Sequence, residues 1–239
     1  ISGGTSSTYA LVQADVGSVI TVTASYTDGQ STAESLTSVA TGSVVNVNDA
    51  PSGSVTISGT ATEDQVLTAA NTLADEDVLG TITYTWSNGD TGSTTTLGQS
   101  DVGSGLTVTA TYTDGQGTGE SASSAATGAV ANVNDAPSGS VTISGTATED
   151  QVLTAANTLA DEDVLGTITY TWSNGDTGST TTLGQSDVGN TITVTATYTD
   201  GQGTGESLSS AATGAVANVN DNPSGSVTIS GTATEDEVL

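Results

Sequence analysis

The sequence repeats itself with a period of 86 residues. Pro51, Pro137 and Pro223 are spaced at that interval, within the segments NDAP, NDAP and NDNP. The segments 49–134 and 135–220 differ at only four positions. Self-similarity over such a period indicates one folding unit that recurs along the chain. We therefore predict two whole repeats, one over 49–134 and one over 135–220.

The flanking segments match parts of the same unit. Residues 1–48 align with 87–134, and residues 221–239 match the start of a repeat. We therefore expect 1–48 to be the C-terminal part of a truncated repeat, and 221–239 to be the N-terminal start of a further repeat. On this interpretation the sequence is a window on a longer array.

The charge balance excludes several functional classes. The chain has 27 acidic residues and no Lys, Arg or His, so its formal net charge is −27. It therefore lacks the basic patch that binds nucleic acids or anionic lipid heads. It also lacks the commonest general bases and activated nucleophiles, because Cys is absent too. We expect a protein that is not an enzyme, with no nucleic-acid partner, no small-molecule substrate and no direct membrane insertion.

Alternating apolar residues predict β-strands within each repeat. In GLTVTATYTD, the residues Leu106, Val108, Ala110 and Tyr112 alternate with threonines, which is typical of a strand with one buried face. The segment GTITYTWSN alternates in the same way, and ESASSAATGAVANV is expected to form a last, longer strand. Roughly seven strands, with Trp86 on the third, predict an all-β antiparallel sandwich of immunoglobulin type.

Acidic and amide residues recur at fixed places in the repeat. They lie after the first strand in TED, in an ADEDVLG loop, in the QSDVG and YTDGQG turns, and in the NVND segment between repeats. Carboxylate and carbonyl oxygens from flexible loops suit calcium, whereas zinc would favour His or Cys. We therefore predict that the chain binds calcium.

These motifs resemble those of extracellular cadherin repeats, in which an Asp-containing turn, an Asp-x-Asp motif and an Asp-x-Asn-Asp-Asn linker hold calcium. The near-identical tandem copies are most similar to the extender repeats of long bacterial RTX-type adhesins. The resemblance covers the whole chain. It implies tandem immunoglobulin-like (cadherin-like) domains of 86 residues arranged as a linear rod, with calcium ions at the linkers between neighbouring repeats. It also implies a secreted protein of the bacterial cell surface.

Position by position, the resemblance implies a set of calcium ligands at each of three linkers. The first linker would use Asp15, Asn46, Asn48, Asp49, Asp75, Asp77 and Asp114. The middle linker would use Glu63, Asp101, Asn132, Asn134, Asp135, Asp161, Asp163 and Asp200. The last linker would use Glu149, Asp187, Asn218, Asn220 and Asp221, together with groups beyond residue 239. The linkers depart from the cadherin pattern, because Asn replaces its first Asp and Ala50 and Ala136 replace its last Asn.

The function that the resemblance implies is a calcium-rigidified spacer in a surface adhesin. Without calcium the carboxylates of a joint repel one another, and with calcium they become one rigid cluster. Two alternatives stay open: the repeats are themselves adhesive, through homophilic contact or glycan binding, or they assemble into an extracellular filament. A third is that the acidic residues only keep a salt-loving protein soluble. Ice binding by the rows of threonines is less favoured.

Several residues are interpreted as structural. Asp90 lies in the turn SNGD, where a carboxylate commonly forms local hydrogen bonds. Trp86 and Trp172 are expected in the core. The glutamates that begin the last predicted strand are interpreted as solvated; they are Glu34, Glu120 and Glu206.

Overall fold

The structure is a computed structural model that describes residues 7–236. It divides into two compact units, the first ending at Val133 and the second beginning at Asn134. Residues 1–6 of the predicted truncated repeat and residues 237–239 of the predicted last segment lie outside the described residues. The repeat boundaries at 48/49, 134/135 and 220/221 stay a prediction.

The described residues form 14 β-strands and no α-helix, and the named strands all pair antiparallel, as the alternating pattern predicts. The first unit contains β1 (Thr23–Thr27), β2 (Ala33–Thr37), β3 (Val55–Ser58), β4 (Val66–Asn71), β5 (Thr83–Trp86), β6 (Thr94–Thr96), β7 (Val108–Thr113) and β8 (Gly119–Ser123). The second contains β9 (Val141–Ser144), β10 (Val152–Asn157), β11 (Thr169–Trp172), β12 (Thr180–Thr182), β13 (Val194–Thr199) and β14 (Gly205–Ser209). Over residues 7–236, no helix has the length and apolarity needed to cross a membrane.

Each unit contains two three-stranded sheets that share one core. In the first unit the strand orders are β3-β4-β6 and β5-β7-β8, and in the second they are β9-β10-β12 and β11-β13-β14. The core of the first unit joins Leu67 of β4 with Trp86 of β5 and Val108 of β7, and all three side chains are buried. The strands β1 and β2 form a separate two-stranded sheet within the first unit.

The inward and outward faces of β7 follow the predicted alternation. Leu106, Val108, Ala110 and Tyr112 are buried. Two of the outward threonines bond to neighbouring hydroxyls: Thr109 contacts the Oγ of a β8 serine at 2.8 Å, and Thr111 contacts a β5 threonine at 2.9 Å. Those hydroxyls are therefore partnered within the sheet. The prediction that the tryptophans lie in the core is confirmed, since both are 2% exposed.

The prediction of one long last strand is wrong. Regular pairing ends at Ser123, and the chain continues as an irregular segment whose N–H groups bond to β7 and the residues before it at wider spacing. The N–H groups of Ser124, Thr127 and Val130 donate to the carbonyls of residues 108, 106 and 104. Successive hydrogen bonds are therefore three residues apart in this segment and two residues apart in the chain that it contacts. The Oγ atoms of Ser124 and Thr127 accept N–H groups of Val108 and Leu106. Hydroxyls thus replace carbonyls along this edge.

The flanking segments differ from the whole repeats in burial. Tyr26 of β1 is 66% exposed, whereas the equivalent Tyr112 is 6% exposed, because no second sheet covers β1 and β2 among the described residues. Residues 221–236 contain no strand, and Val227, equivalent to the buried Val55, is 98% exposed. A strand at this position needs a paired neighbour, as β3 has in β4.

Candidate metal site

Burial separates one set of acidic residues from the rest. Nine carboxylates of the described chain are less than a tenth exposed: Asp15, Glu63, Asp77, Asp101, Asp114, Glu149, Asp163, Asp187 and Asp200. All nine belong to the predicted calcium ligands. A buried carboxylate is normally paired with a cation or neutralised by a proton, and this chain has no cationic side chain.

Asp77 is the most enclosed carboxylate of the first unit. It is 0% exposed, and both of its oxygens accept hydrogen bonds from the preceding segment. The amide Nε2 of Gln13 donates to Oδ1 at 2.6 Å, and the backbone N–H of Asp49 donates to Oδ2 at 2.9 Å. In the first unit the DED loop therefore contacts the QADV turn through Gln13 and the linker through Asp49.

Asp75 is held by two donors. Its Oδ1 accepts the backbone N–H of Asp77 at 2.8 Å, and its Oδ2 accepts the phenol of Tyr112 at 2.5 Å. Burial, then the hydrogen bond to Asp75, and then the nearby carboxylates raise the pKa of Tyr112 above its usual value. The phenol therefore stays protonated and donates to Oδ2 of Asp75, which fixes the orientation of that side chain. In the second unit Tyr198 and Asp161 make the same contact.

Asp114 uses one oxygen locally and leaves the other free. Its Oδ1 accepts the N–H groups of Gln116 and Thr118 at 2.9 and 2.8 Å, as expected for a turn. Its Oδ2 is buried and has no hydrogen-bond partner among the described residues. Gly115 joins this turn to the DED loop by donating to the carbonyl of Asp77 at 2.8 Å. The turn and ligand interpretations of this residue are therefore compatible.

Other predicted ligands also carry buried oxygens that lack a hydrogen-bond partner in the described part of the chain. In the first unit these are Oδ1 of Asn46 and Oδ1 of Asn132. In the second unit they are Oδ1 of Asp163 and Oδ2 of Asp200. An oxygen buried in this way loses its water without compensation. Such atoms are the ones that a bound cation would satisfy.

The aspartates of the QADV and QSDV turns have a structural role besides any role in ion binding. Each turn is a short 3-10 helix, over Gln13–Asp15, Gln99–Asp101 and Gln185–Asp187. In each turn one carboxylate oxygen of the final Asp accepts the N–H of the residue before the helix, at 2.9 to 3.1 Å. One oxygen of each carboxylate therefore closes its own turn.

The glutamate of the TED motif contacts the linker that ends its repeat. Glu63 is 2% exposed, and its Oε2 accepts the N–H of Val133 at 3.1 Å. In the second unit Glu149 is 3% exposed and accepts the N–H of Val219 at 3.0 Å. These glutamates fix the path of the linker because their backbones also pair with it; the N–H of Glu63 donates to the carbonyl of Ala131 at 2.9 Å.

The linker residues are held less uniformly. The N–H of Asp135 donates to Oδ2 of Asp163 at 2.9 Å, which repeats in the second unit the contact of Asp49. The amides of Asn48 and Asn134 donate to Glu120 and Glu206. Asn218 accepts a 3.3 Å hydrogen bond from Gln185, whereas Asn220 and Asp221 are exposed.

The loop that carries the DED motif is strained. Val78, immediately after Asp77, has a φ of 75°, and the equivalent Val164 has a φ of 72°. A β-branched residue is rarely found in this left-handed region, because its Cβ crowds the backbone. Strain of this kind persists where the surrounding contacts hold it, and it is common at functional sites.

The structure brings together some of the predicted first-linker residues. Asp49, Asp75 and Asp77 are linked directly by hydrogen bonds, and Asp114 is adjacent to them through Gly115. The residues predicted for the middle linker are divided between the two units.

The sequence analysis did not identify Gln13 as a contact of the DED loop, although Gln13 lies two residues before the predicted ligand Asp15. The prediction that Glu120 and Glu206 are solvated is wrong, because both are half-buried and accept hydrogen bonds.

The donors fit calcium chemically. They are carboxylate and amide oxygens with buried unpaired members, and they lie on loops, which can supply six to eight oxygens around the ion. Neither imidazole nor thiolate is present anywhere in the chain, so the ligand types that favour zinc or copper are missing. Asp75, Asp77 and Asp114, which the hydrogen bonds above bring together, would hold the ion in the first unit. The buried Oδ1 of Asn46 is a further candidate donor.

The structure is similar to two solved adhesin structures. One is the tetra-tandem repeat in the extending region of a large adhesion protein, with 26% identity, a TM-score of 0.28, and coverage of 84% of this chain and 57% of that one. The other is a Ca²⁺-stabilised adhesin that helps an Antarctic bacterium reach out and bind ice, with 18% identity, a TM-score of 0.31, and coverage of 83% and 56%. The chain thus spans little more than half of either structure. No protein-family model and no curated protein matches the sequence.

Proposed function

We propose that this chain is a calcium-rigidified spacer of a large bacterial cell-surface adhesin, which projects a binding domain away from the cell. In this role it performs no catalysis, and its partners are calcium ions and the neighbouring repeats of its own chain. The adhesin character of the two similar structures is consistent with this assignment. The proposal depends mainly on the chemistry of the buried carboxylates.

The observation that carries the proposal is a fully buried Asp77 in a chain with no cation. Asp77 and its equivalent Asp163 are 0% exposed, and the chain contains no Lys, Arg or His. Hydrogen bonds from an amide and a backbone N–H compensate only part of the lost hydration of a carboxylate. A divalent ion from solution would supply the missing positive charge. The protein would then be most stable, and its loops most rigid, when calcium is bound.

The strand order supports an immunoglobulin-like repeat. If β3 to β8 are lettered A, B, C, E, F and G, the two sheets of the first unit are A-B-E and C-F-G. Constant-type immunoglobulin domains have sheets ABED and CFG, so this repeat would lack only the fourth strand of the first sheet. The second unit has the same order. This similarity supports the cadherin-like assignment of the repeats.

The near-identity of the two repeats supports a spacer role over a ligand-binding role. A binding module usually differs from its neighbours at the residues that contact the ligand, whereas 49–134 and 135–220 differ at only four positions. Two outward threonine hydroxyls of β7 are bonded within the sheet, that of Thr109 at 2.8 Å to a β8 serine and that of Thr111 at 2.9 Å to Thr83. Because these hydroxyls already have partners, they do not support the ice-binding alternative.

Small-angle X-ray scattering tests the proposal directly. The chain is measured in excess EGTA, in millimolar calcium, and in magnesium at the same ionic strength as a control for charge screening. The spacer proposal predicts a larger and more sharply defined maximum dimension in calcium alone. The matched variant Asp77→Asn/Asp163→Asn should keep the EGTA profile in all three buffers. A wild-type profile that is the same in EGTA and calcium would contradict the proposal and favour a solubilising role for the acids.

A further inference from the structure

Two half-buried glutamates face the linkers, and neither belongs to the predicted ligand set. Oε1 of Glu120, on β8, accepts the Nδ2 amide of Asn48 at 2.8 Å. In the second unit Oε1 of Glu206, on β14, accepts the Nδ2 amide of Asn134 at 2.9 Å. Each pair joins residues that are 72 positions apart in the sequence. The contact therefore depends on the fold and occurs independently in both units.

The chemistry of the contact fixes which way the asparagine amide points. An ionised carboxylate only accepts hydrogen bonds, so the NH₂ group of Asn48 must face Glu120. The carbonyl oxygen of the same amide is then directed away from the glutamate and left available as a ligand. The bond has a charged acceptor, which makes it stronger than a neutral one. Because it lies near the surface, it contributes little to overall stability.

The glutamate stands next to the tyrosine that orients the DED loop. Glu120 is paired across β7 and β8 with Tyr112, and directly opposed residues of an antiparallel pair share one face of the sheet. Tyr112 donates to Asp75, and Glu120 accepts from Asn48. One cross-strand pair therefore holds a loop aspartate on one side and a linker asparagine on the other. Tyr198 and Glu206 are paired in the same way.

We propose that Glu120 and Glu206 are positioning residues that orient the linker amides of Asn48 and Asn134 for calcium, without binding the ion themselves. The inference rests on the proposed function, since it concerns the same calcium sites. Groups that orient ligands from outside the first coordination sphere commonly change metal affinity by about 10-fold to 100-fold when they are removed. The role is one of geometry, so it needs an acceptor at this position and does not need a negative charge.

Two paired substitutions separate positioning from charge. Glu120→Ala/Glu206→Ala removes the acceptor, whereas Glu120→Gln/Glu206→Gln keeps an acceptor oxygen and removes the charge. The sequence supplies a matched control in Glu34→Ala: Glu34 occupies the equivalent position on β2, where it pairs with Tyr26 and is exposed. Calcium binding to each chain is measured by titration calorimetry, and the emission of Trp86 and Trp172 checks that the cores remain folded.

We expect the alanine pair to weaken calcium binding about tenfold, the glutamine pair to stay within about twofold of wild type, and Glu34→Ala to have no effect. Unchanged affinity in the alanine pair would refute the positioning role while leaving the calcium sites intact. Equal losses in the alanine and glutamine pairs would refute it too, because they would make the charge itself the requirement. If the wild-type chain binds no calcium, the proposed function fails and this inference fails with it.

A second measurement needs no metal. In calcium-free protein, the side-chain amide protons of Asn48 and Asn134 should exchange slowly with water, as detected by NMR. The alanine pair should accelerate this exchange, and the glutamine pair should preserve it. Fast exchange in the wild-type chain would show that the glutamates do not hold the amides, whatever the calcium titration gives.

Discussion

The backbone N–H of Asp49 donates to Oδ2 of Asp77 at 2.9 Å, and that carboxylate has no exposed surface. The two residues are 28 positions apart, so the contact ties the start of a repeat to its own DED loop. Asp135 and Asp163 make the same contact in the second unit, also at 2.9 Å. The direction of the linker is thereby coupled to a buried charge.

Neutralising that charge should abolish part of the response to calcium. We expect Asp77→Asn to lower the calcium-dependent stabilisation by about 2.7 kcal/mol when calcium is at 100 times the dissociation constant of one site. In EGTA the variant should be about as stable as wild type, because removing a buried charge offsets the loss of one of the two hydrogen bonds that Asp77 accepts. Thermal unfolding in EGTA and in calcium measures both quantities. Asp90→Asn is the control, since Asp90 lies in an exposed turn; a full calcium response in Asp77→Asn would contradict the ligand assignment.

The buried tyrosines predict a loss of stability in alkali. Burial, and then the hydrogen bonds to Asp75 and Asp161, raise the pKa values of Tyr112 and Tyr198 above that of a free phenol, which is about 10. The folded state thus retains protons that the unfolded state releases, so this contribution is complete below pH 10 and declines as the pH rises further. Denaturant unfolding at a series of pH values tests this. Tyr112→Phe/Tyr198→Phe should flatten the decline, and an unchanged slope would contradict the assignment.

Close backbone approach leaves no room for a side chain at Gly80. A Cβ at Gly80 would lie 1.9 Å from the carbonyl oxygen of Thr113, a distance at which the loop must move away from β7. We expect Gly80→Ala to destabilise the first unit by about 1 to 3 kcal/mol, as overpacking usually does. The control is Gly119→Ala, because a Cβ there would meet no atom within 4 Å. Chemical denaturation compares the two variants, and equal stability would show that the loop adapts freely.

Relieving the strained valine should stabilise the protein. Val78 is 65% exposed and has a φ of 75°, so its side chain contributes little packing while its backbone is unfavourable. Asparagine tolerates this conformation better, and we expect Val78→Asn to raise the free energy of unfolding by about 1 kcal/mol. Val66→Asn is a contrasting control, since Val66 is half-exposed but lies on β4. A destabilised Val78→Asn would mean that the valine side chain has a packing role.

Local periodicity predicted the strands, and residue type predicted the buried acids. Alternation is decided by the residues themselves, so the inward face of β7 follows from the sequence. The buried carboxylates were identified because acidic groups recur at the same places in every repeat, and all nine are among the predicted ligands.

Contacts between distant side chains were not predictable in this way. Gln13 reaches Asp77 across 64 residues, and Asn48 reaches Glu120 across 72. Such pairings depend on how the loops and strand ends are placed in three dimensions, which no spacing rule specifies. The irregular segment after β8 was missed because Ser124 and Thr127 use their hydroxyls in place of carbonyls. Composition alone does not show where a side chain will substitute for the backbone.

The irregular segment after β8 also bears on how nearly identical neighbours avoid exchanging strands. Two repeats with almost the same sequence can in principle complete each other's sheets, and a long regular edge strand would invite that error. In the first unit regular pairing stops at Ser123, and hydroxyl groups occupy the edge that follows. A regular strand that replaced this segment against β7 would not supply the two hydroxyls that accept from Val108 and Leu106. The interruption thus disfavours the addition of a regular strand on this side of β7.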